Sequence, residues 1–261
     1  MYGKNGYGVF RIFPALFGCF RVCYIGSVTI AENIAEIRRR IEAAAERAGR
    51  KADEVKLIAV SKTHPAEAIR AAAAVSVASF GENKVQEGET KIVELGRSFA
   101  EWHLIGHLQS NKARKAVQFF DVVHTVDSID LANRLERICV EEGRDSLTVL
   151  VQVNVSGDPR SGVASADLAK LAELLHSCER LRFAGLMTLP PFFDDPEKAR
   201  PYFQELRRLG DELASKHLFH TERFELSMGM TNDFEVAIEE GATMVRVGTA
   251  IFGEREYGVS I

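Results

Sequence analysis

Apolar positions recur along this chain in two alternating rhythms. Ile30, Ile34, Ile37 and Ile41 repeat at helical spacing, Ala44, Ala45 and Ala48 extend the stripe, and Gly49 is a stop signal. The spacing predicts a helix over 30–48. Eight short aliphatic runs follow: "VKLIAVS" (55–61), "VASFG" (77–81), "EWHLIG" (101–106), "DVVHTV" (121–126), "LTVLVQVNV" (147–155), "LRFAGLMT" (181–188), "RFELSM" (223–228) and "TMVRVG" (243–248). Each reads as a buried strand and is followed by a helical pattern or a helix-start signal, as in "PAEAIRAAAA" and "DLANRLERICVEEG".

Strands alternating with helices imply a parallel sheet. Eight such units fit an α/β fold of the closed (β/α)8 TIM-barrel kind, for which about 250 residues is typical. A doubly wound open sheet is the rival. The barrel is favoured because only 13 residues follow the last strand, too few for a full helix and a tail. The surplus helix at 30–48 can take that helix's place on the outer wall. No linker, repeat or low-complexity tract divides residues 28–261, so one domain is expected there.

Residues 1–27, "MYGKNGYGVFRIFPALFGCFRVCYIGS", are aromatic, glycine-rich and free of acidic residues. Arg11 and Arg21 frame only "IFPALFGCF", well short of the roughly 18 apolar residues of a membrane span. A signal or anchor is weighed against upstream sequence translated from a misplaced start, and the second reading is preferred, with the true start near Val28. The chain of 261 residues is 46% apolar and 27% charged with a net charge of −4. That balance suits a soluble protein and argues against nucleic acid or membrane as a partner. Cys19, Cys23, Cys139 and Cys178 form neither a disulfide framework nor a zinc spacing, which favours a reducing, cytoplasmic setting.

In a barrel, binding residues collect at the C-terminal ends of strands. Those ends read Ser61-Lys62-Thr63, Gly81-Glu82-Asn83, Gly106-His107-Leu108-Gln109, Thr125-Val126-Asp127, Asn154, Met187-Thr188, Ser227-Met228-Gly229-Met230 and Arg246-Val247-Gly248-Thr249. Barrels often bind phosphate on the last two of these loops. "SMGMTND" offers a hydroxyl and a glycine before a helix; "VRVGTAIFG" offers an arginine, then Gly248 and Thr249 opening a last helical turn. Lys62 then admits two readings. It is a Schiff-base lysine for a phosphorylated aldehyde, or a rim lysine snorkelling to water.

Other positions carry less. His103 and His107 are four apart, which suits a metal only on a helix, whereas "EWHLIGH" reads as strand with no supporting carboxylate in view. His124 is read as a packed strand residue and Trp102 as a core or rim aromatic. Asp194-Asp195 before Pro196 reads as a helix cap, and "SNKARK" as a solvated helix face.

"LIAVSKTHP", "FGENKVQEG", "WHLIGHLQSNKARK", "VHTVDSIDLANRL", "VLVQVNVSGDPRSGV", "RFAGLMTL" and "ELSMGMTNDFEVAIEEGATMVRVGTAIFGERE" occur in this order. Together they resemble the pyridoxal phosphate homeostasis proteins over residues 29 to 257. That family looks like the barrel half of alanine-racemase-type enzymes without the second β-domain. The resemblance implies pyridoxal 5′-phosphate as cofactor, held by Lys62 as an internal aldimine. It places Ser227, Gly229, Arg246, Gly248 and Thr249 around the phosphate and ring, with Asn83 near the cofactor. It further implies a non-catalytic carrier in intracellular cofactor homeostasis that hands pyridoxal phosphate to dependent apoenzymes, as a monomer or weak dimer. An amino-acid racemase and a Schiff-base aldolase acting on a sugar phosphate are the rival functions. The sequence departs from the family at His107, where a small residue or proline is expected, and in "AAAAVSVAS", which lacks the usual glycine; both affect only the shape of the rim.

Overall fold

The computed structural model describes residues 29–157 and 162–253. The segment 1–27 and Tyr257 therefore lie outside the described residues. Helix α1 (Ile30–Arg47) begins on a capping box, in which Thr29 Oγ1 accepts from Glu32 N while the Glu32 carboxylate accepts from Thr29 N. It buries Ile34, Ile37, Ile41, Ala44 and Ala45 and ends before Gly49, whose φ of +67° suits the absence of a side chain.

The strands are β1 (Lys56–Val60), β2 (Ser79–Glu82), β3 (Glu101–Leu104), β4 (Val122–Val126), β5 (Leu147–Asn154), β6 (Val163–Ala164), β7 (Leu181–Met187), β8 (Glu225–Ser227) and β9 (Met244–Val247). Their order is β4-β3-β2-β1-β9-β8-β7-β5, and β4 pairs with β5, so the sheet closes on itself as an eight-stranded parallel barrel. The eight expected runs are the eight staves. Only β6, two residues paired to the end of β5, has no counterpart in the sequence reading, being too short to show a period.

Outside the staves lie α2 (Ala66–Ala74), α3 (Val85–Leu95), α4 (Ala113–Phe119), α5 (Ile129–Glu141), α6 (Leu168–His176), α7 (Arg200–Ser215), α8 (Phe234–Glu239) and α9 (Thr249–Phe252). The helix α9 has a single turn, and α1 fills the wall it leaves open. Asn33 Nδ2 donates to Ile251 O at 2.9 Å, and Arg40 forms a two-pronged pair with Glu235 of α8 at 2.8 Å. Arg40 also lies over the Phe234 ring, 4.6 Å from its centre.

Strand alternation sorts the core into two parts. Outward residues such as Ala59, Phe80, Trp102, Leu104, Val149, Phe183 and Val245 join the helices in one continuous cluster. Inward residues Ile58, Val122, Leu150, Met187 and Met244 form a separate plug inside the barrel. Each buried aliphatic side chain contributes roughly 1.5–3 kcal/mol. That plug fills only part of the interior, and polar side chains occupy the rest. Gly185 is fixed by closeness, since a Cβ there would stand 2.0 Å from Glu225 O on the neighbouring stave.

Candidate functional site

A cavity of about 450 Å³ opens at the C-terminal ends of the strands. Lys62, Asn83, Arg246, Gly248 and Thr249 all line it, drawn together from β1, β2 and β9. Ser227 and Gly229, expected beside them, do not belong to its lining; both are buried behind it. Gly229 has a φ of +91°, and a Cβ there would meet Ala237 Cβ at 2.7 Å and Phe234 Cα at 2.9 Å. Its role is to let the loop after β8 lie against α8. Met230, Thr231 and Asn232 of that loop, with Leu189 and Phe192 from the loop after β7, complete the rim. Phe192 is 75% exposed, an apolar flap at the mouth. Rim position alone could not separate residues that face the cavity from residues one step behind it.

Lys62 sits in the tight turn that ends the first strand run. His64 N donates to Ser61 O at 3.1 Å, and Thr63 takes a φ of +67°, which a β-branched residue rarely adopts. What holds it is a carboxylate: Glu87 Oε1 of α3 accepts from Thr63 N. Lys91, one turn further along α3, donates to Glu87 Oε1 at 2.7 Å, to Glu82 Oε1 at 2.8 Å and to Ser61 O at 2.7 Å. Ser61 Oγ donates to the same Glu82 oxygen at 2.6 Å. Thus one buried ammonium ties the strand end, its neighbour β2 and helix α3 to the backbone that presents Lys62. Burial pushes the Glu82 carboxyl above its ordinary range against the pull of Lys91. For Glu87 burial acts the same way, but the Lys91 and Thr63 hydrogen bonds outweigh it and leave it lowered.

Asn83 is placed by a bare glycine. A Cβ on Gly106, at the end of β3, would stand 2.1 Å from Asn83 O, so that backbone contact admits no other residue. Arg246 is buried, with Nη1 donating to Ser227 Oγ at 2.5 Å and Nη2 to Thr188 O at 2.8 Å. Burial pulls its guanidinium down to about 10, opposed by the Asp233 carboxylate, so it remains cationic at neutral pH. Gly248 and Thr249 open α9, and the first N–H groups of a helix find no partner within it.

Two histidines set aside from the sequence prove to be buried partners. His103 Nδ1 and His124 Nε2 are 2.8 Å apart, and His124 Nδ1 lies 2.9 Å from Ser227 Oγ. The reading that no carboxylate supports His103 or His107 is corrected. Glu101 Oε2 stands 3.0 Å from His103 Nε2, and Asp127 Oδ2 stands 3.5 Å from His107 Nδ1. Glu101 is two residues before His103 and shares its face of the strand, which spacing by four along the sequence concealed. Trp102 is a fully buried core residue, Asp195 Oδ1 caps the turn after it by accepting from Glu197 N, and Arg114 and Lys115 of "SNKARK" pair with Glu141, Glu142 and Glu89.

Burial holds His103 below the ordinary imidazole range in spite of Glu101. It holds His124 well below, helped by the nearby positive charges of Arg246 and Lys56. Because the folded state disfavours the charged rings, their contribution to stability is complete above the unfolded value of about 6.5 and drains away as pH falls below it. In an NMR titration both imidazoles should therefore stay neutral below pH ~6.5, His124 the further of the two. Both rings titrating near that value would contradict the buried neutral pair.

The sequence pattern of the family described as alanine racemase, N-terminal domain, matches residues 33–256. A protein named pyridoxal phosphate homeostasis protein from Escherichia coli K12 is 44% identical over 232 residues, covering 87% of this chain and 97% of that one. Its namesake from Aquifex aeolicus VF5 is 41% identical over 227 residues, covering 87% and 98%. Among solved structures, PipY of Synechococcus elongatus PCC7942 with pyridoxal phosphate bound superposes with a TM-score of 0.75 at 41% identity, covering 86% of this chain and all of that one. Alanine racemase of Corynebacterium glutamicum, at 22% identity and a TM-score of 0.67, shares the fold; the match covers 88% of this chain and 63% of the enzyme.

Proposed function

The chain belongs to the pyridoxal phosphate homeostasis proteins, a family built on the alanine racemase N-terminal barrel, and on that premise we propose how it holds its cofactor. It is a pyridoxal 5′-phosphate-binding protein of intracellular cofactor homeostasis. The observation that carries the reading is one cavity lined by a lysine amine, a buried arginine and the opening of a helical turn. Its volume lies within the range of small-molecule and cofactor sites.

When bound, pyridoxal phosphate supplies an aldehyde that amines capture reversibly and a ring that withdraws electrons. Lys62 is the amine that holds the aldehyde carbon, and the braced turn at Thr63 fixes where its stem begins. Gly248 and Thr249 supply N–H and hydroxyl donors for the phosphate. Arg246 provides a fixed positive charge at the cavity floor, and Asn83 borders the cofactor. Leu189 and Phe192 shield one side of the mouth. Ser227 acts on the cofactor through Arg246.

We assign no turnover to this site. Racemisation requires an acid–base group on each face of the substrate. Lys62 can serve one face. For the other face the sequence offers Tyr257, outside the described residues, and the rim histidines His64 and His107, none of which it orients; the one described tyrosine, Tyr202, is stacked on Phe193 with ring centres 5.9 Å apart. The protein accordingly stores a reactive aldehyde and releases it to dependent apoenzymes in the cytoplasm. Racemisation of alanine or serine should stay far below about 1 s⁻¹, the low end of ordinary enzymes. Turnover at that rate, abolished by Lys62→Ala, would make the protein a racemase.

The phosphate assignment is tested by comparing two ligands. Thr249→Leu should weaken pyridoxal phosphate binding by about tenfold or more, since a hydrogen bond to a charged group is worth about 1.5–3 kcal/mol. Pyridoxal, which lacks the phosphate, should bind almost unchanged. Equal losses for both ligands would place the phosphate elsewhere.

A further inference from the structure

A single line of hydrogen bonds crosses the barrel interior from one face to the other. It starts at Lys56 Nζ, 2.7 Å from Glu101 Oε2, where both side chains are 38% exposed. It continues through Glu101 Oε2 to His103 Nε2 at 3.0 Å, through His103 Nδ1 to His124 Nε2 at 2.8 Å, and through His124 Nδ1 to Ser227 Oγ at 2.9 Å. It ends at Arg246 Nη1, 2.5 Å from the same hydroxyl. Both rings and Ser227 are fully buried.

The donor and acceptor inventory gives this line one direction. Arginine has no acceptor, so Arg246 donates to Ser227 Oγ. The hydroxyl hydrogen then has His124 Nδ1 as its acceptor. A neutral imidazole with a bare Nδ1 carries its hydrogen on Nε2, so His124 Nε2 donates to His103 Nδ1. His103 Nε2 in turn donates to the Glu101 carboxylate. The His103 hydrogen bond holds that carboxyl below its ordinary range, so it remains an acceptor at neutral pH. Every link is satisfied in this order. In the reverse order Ser227 would direct its hydroxyl hydrogen at no acceptor among the described residues.

From this we infer that His103 and His124 are positioning residues for the cofactor. Anchored on Glu101, they lock the Ser227 hydroxyl so that its lone pair faces Arg246 and fixes the guanidinium at the cavity floor. Without His124 the hydroxyl hydrogen loses its acceptor, and the Ser227 lone pair is no longer held toward Arg246 as the Thr188 carbonyl is. The inference rests on the pyridoxal phosphate reading and adds to it two residues that never reach the cavity.

The test measures pyridoxal phosphate affinity and the visible absorption maximum of the bound cofactor. It uses the full-length parent, His124→Phe, His124→Asn, Ser227→Ala and the double variant His124→Phe/Ser227→Ala. Unfolding in urea sets the stability of each, and Leu150→Ala, a cut in the apolar plug, serves as a destabilised control. His124→Phe and Ser227→Ala should each weaken binding by about tenfold and shift the absorption maximum. The double variant should be no worse than either single variant, because both break the same line. His124→Asn, whose side-chain oxygen can take the hydroxyl hydrogen, should restore most of the affinity and the parental maximum. Leu150→Ala should lose stability and leave both readouts alone. Parental affinity and spectrum in folded His124→Phe or Ser227→Ala, or additive losses in the double variant, would overturn the inference. If His124→Phe does not fold, the single variants Ser227→Ala and His124→Asn decide. A parental affinity in Ser227→Ala overturns the inference, and a loss there with His124→Asn near parental supports it. Failure of the parent itself to bind pyridoxal phosphate would instead sink the cofactor reading.

Discussion

Replacing Lys62 by alanine is expected to remove every trace of covalently fixed cofactor. Borohydride treatment of the parent loaded with pyridoxal phosphate should leave one pyridoxyl mass on the peptide that contains Lys62, and the variant should carry none. Its visible absorption should be that of free pyridoxal phosphate. The other lysines are placed for different work. Lys56 lies at the opposite face of the barrel, paired with Glu101. Lys91 is 8% exposed and surrounded by three oxygens within 2.8 Å, so its amine is already committed. Lys84 and Lys112 do not line the cavity. Among the described lysines only Lys62 combines the cavity with the end of a barrel strand. A reduced adduct mapped to Lys56, Lys84 or Lys112 would show that another lysine is the anchor.

The second large effect concerns stability. Lys91→Met keeps the length of the side chain and removes its charge, leaving Glu82, fully buried, and Glu87, 26% exposed, without their shared cation. Removing one partner of a buried pair costs about 3–5 kcal/mol, because the other charge is left in a poor solvent. Urea unfolding should show a lowered midpoint which, multiplied by an unchanged slope, gives that loss. The Thr63 turn relies on Glu87, so the variant should also bind pyridoxal phosphate more weakly than its remaining folded fraction explains. A loss below about 1 kcal/mol would mean that the cluster is wetter or more adaptable than its geometry indicates.

The sequence was most informative where one strand's pattern was enough. Eight aliphatic runs between helical segments could hardly build anything but a parallel sheet, and the missing last helix pointed to α1 as its substitute. The strand ends exposed Lys62, Asn83, Arg246, Gly248 and Thr249, because rim residues of a barrel are adjacent in space though distant in sequence. What stayed hidden depended on pairs of strands. Ser227 points into the barrel as Arg246 does, and whether it reaches the cavity or stands beneath it is a matter of depth, which "SMGM" alone does not reveal. Glu82 reads as a rim carboxylate, yet it points outward from the barrel to Lys91. The sequence offers His103 only as a weak metal candidate and His124 only as a packed strand residue until β3 and β4 are laid side by side. The clue available was parity: Glu101 and His103 share a face of β3, and His124 can meet them from the adjoining stave.

The way α1 closes the wall has a consequence for synthesis on the ribosome. The helix emerges early, but its apolar stripe rests on α8 and α9, and its ties to Glu235 and Ile251 span 195 and 218 residues. Until those partners leave the exit tunnel, Ile34, Ile37 and Ile41 have no permanent cover and are open to chaperones and to other nascent chains. Contacts this distant also slow the final closure, since a long loop must be brought together before anything is gained. The same closure seats Ile251 in the turn that begins with Gly248 and Thr249, so the growing chain acquires a finished cofactor cradle only when α1 meets α9.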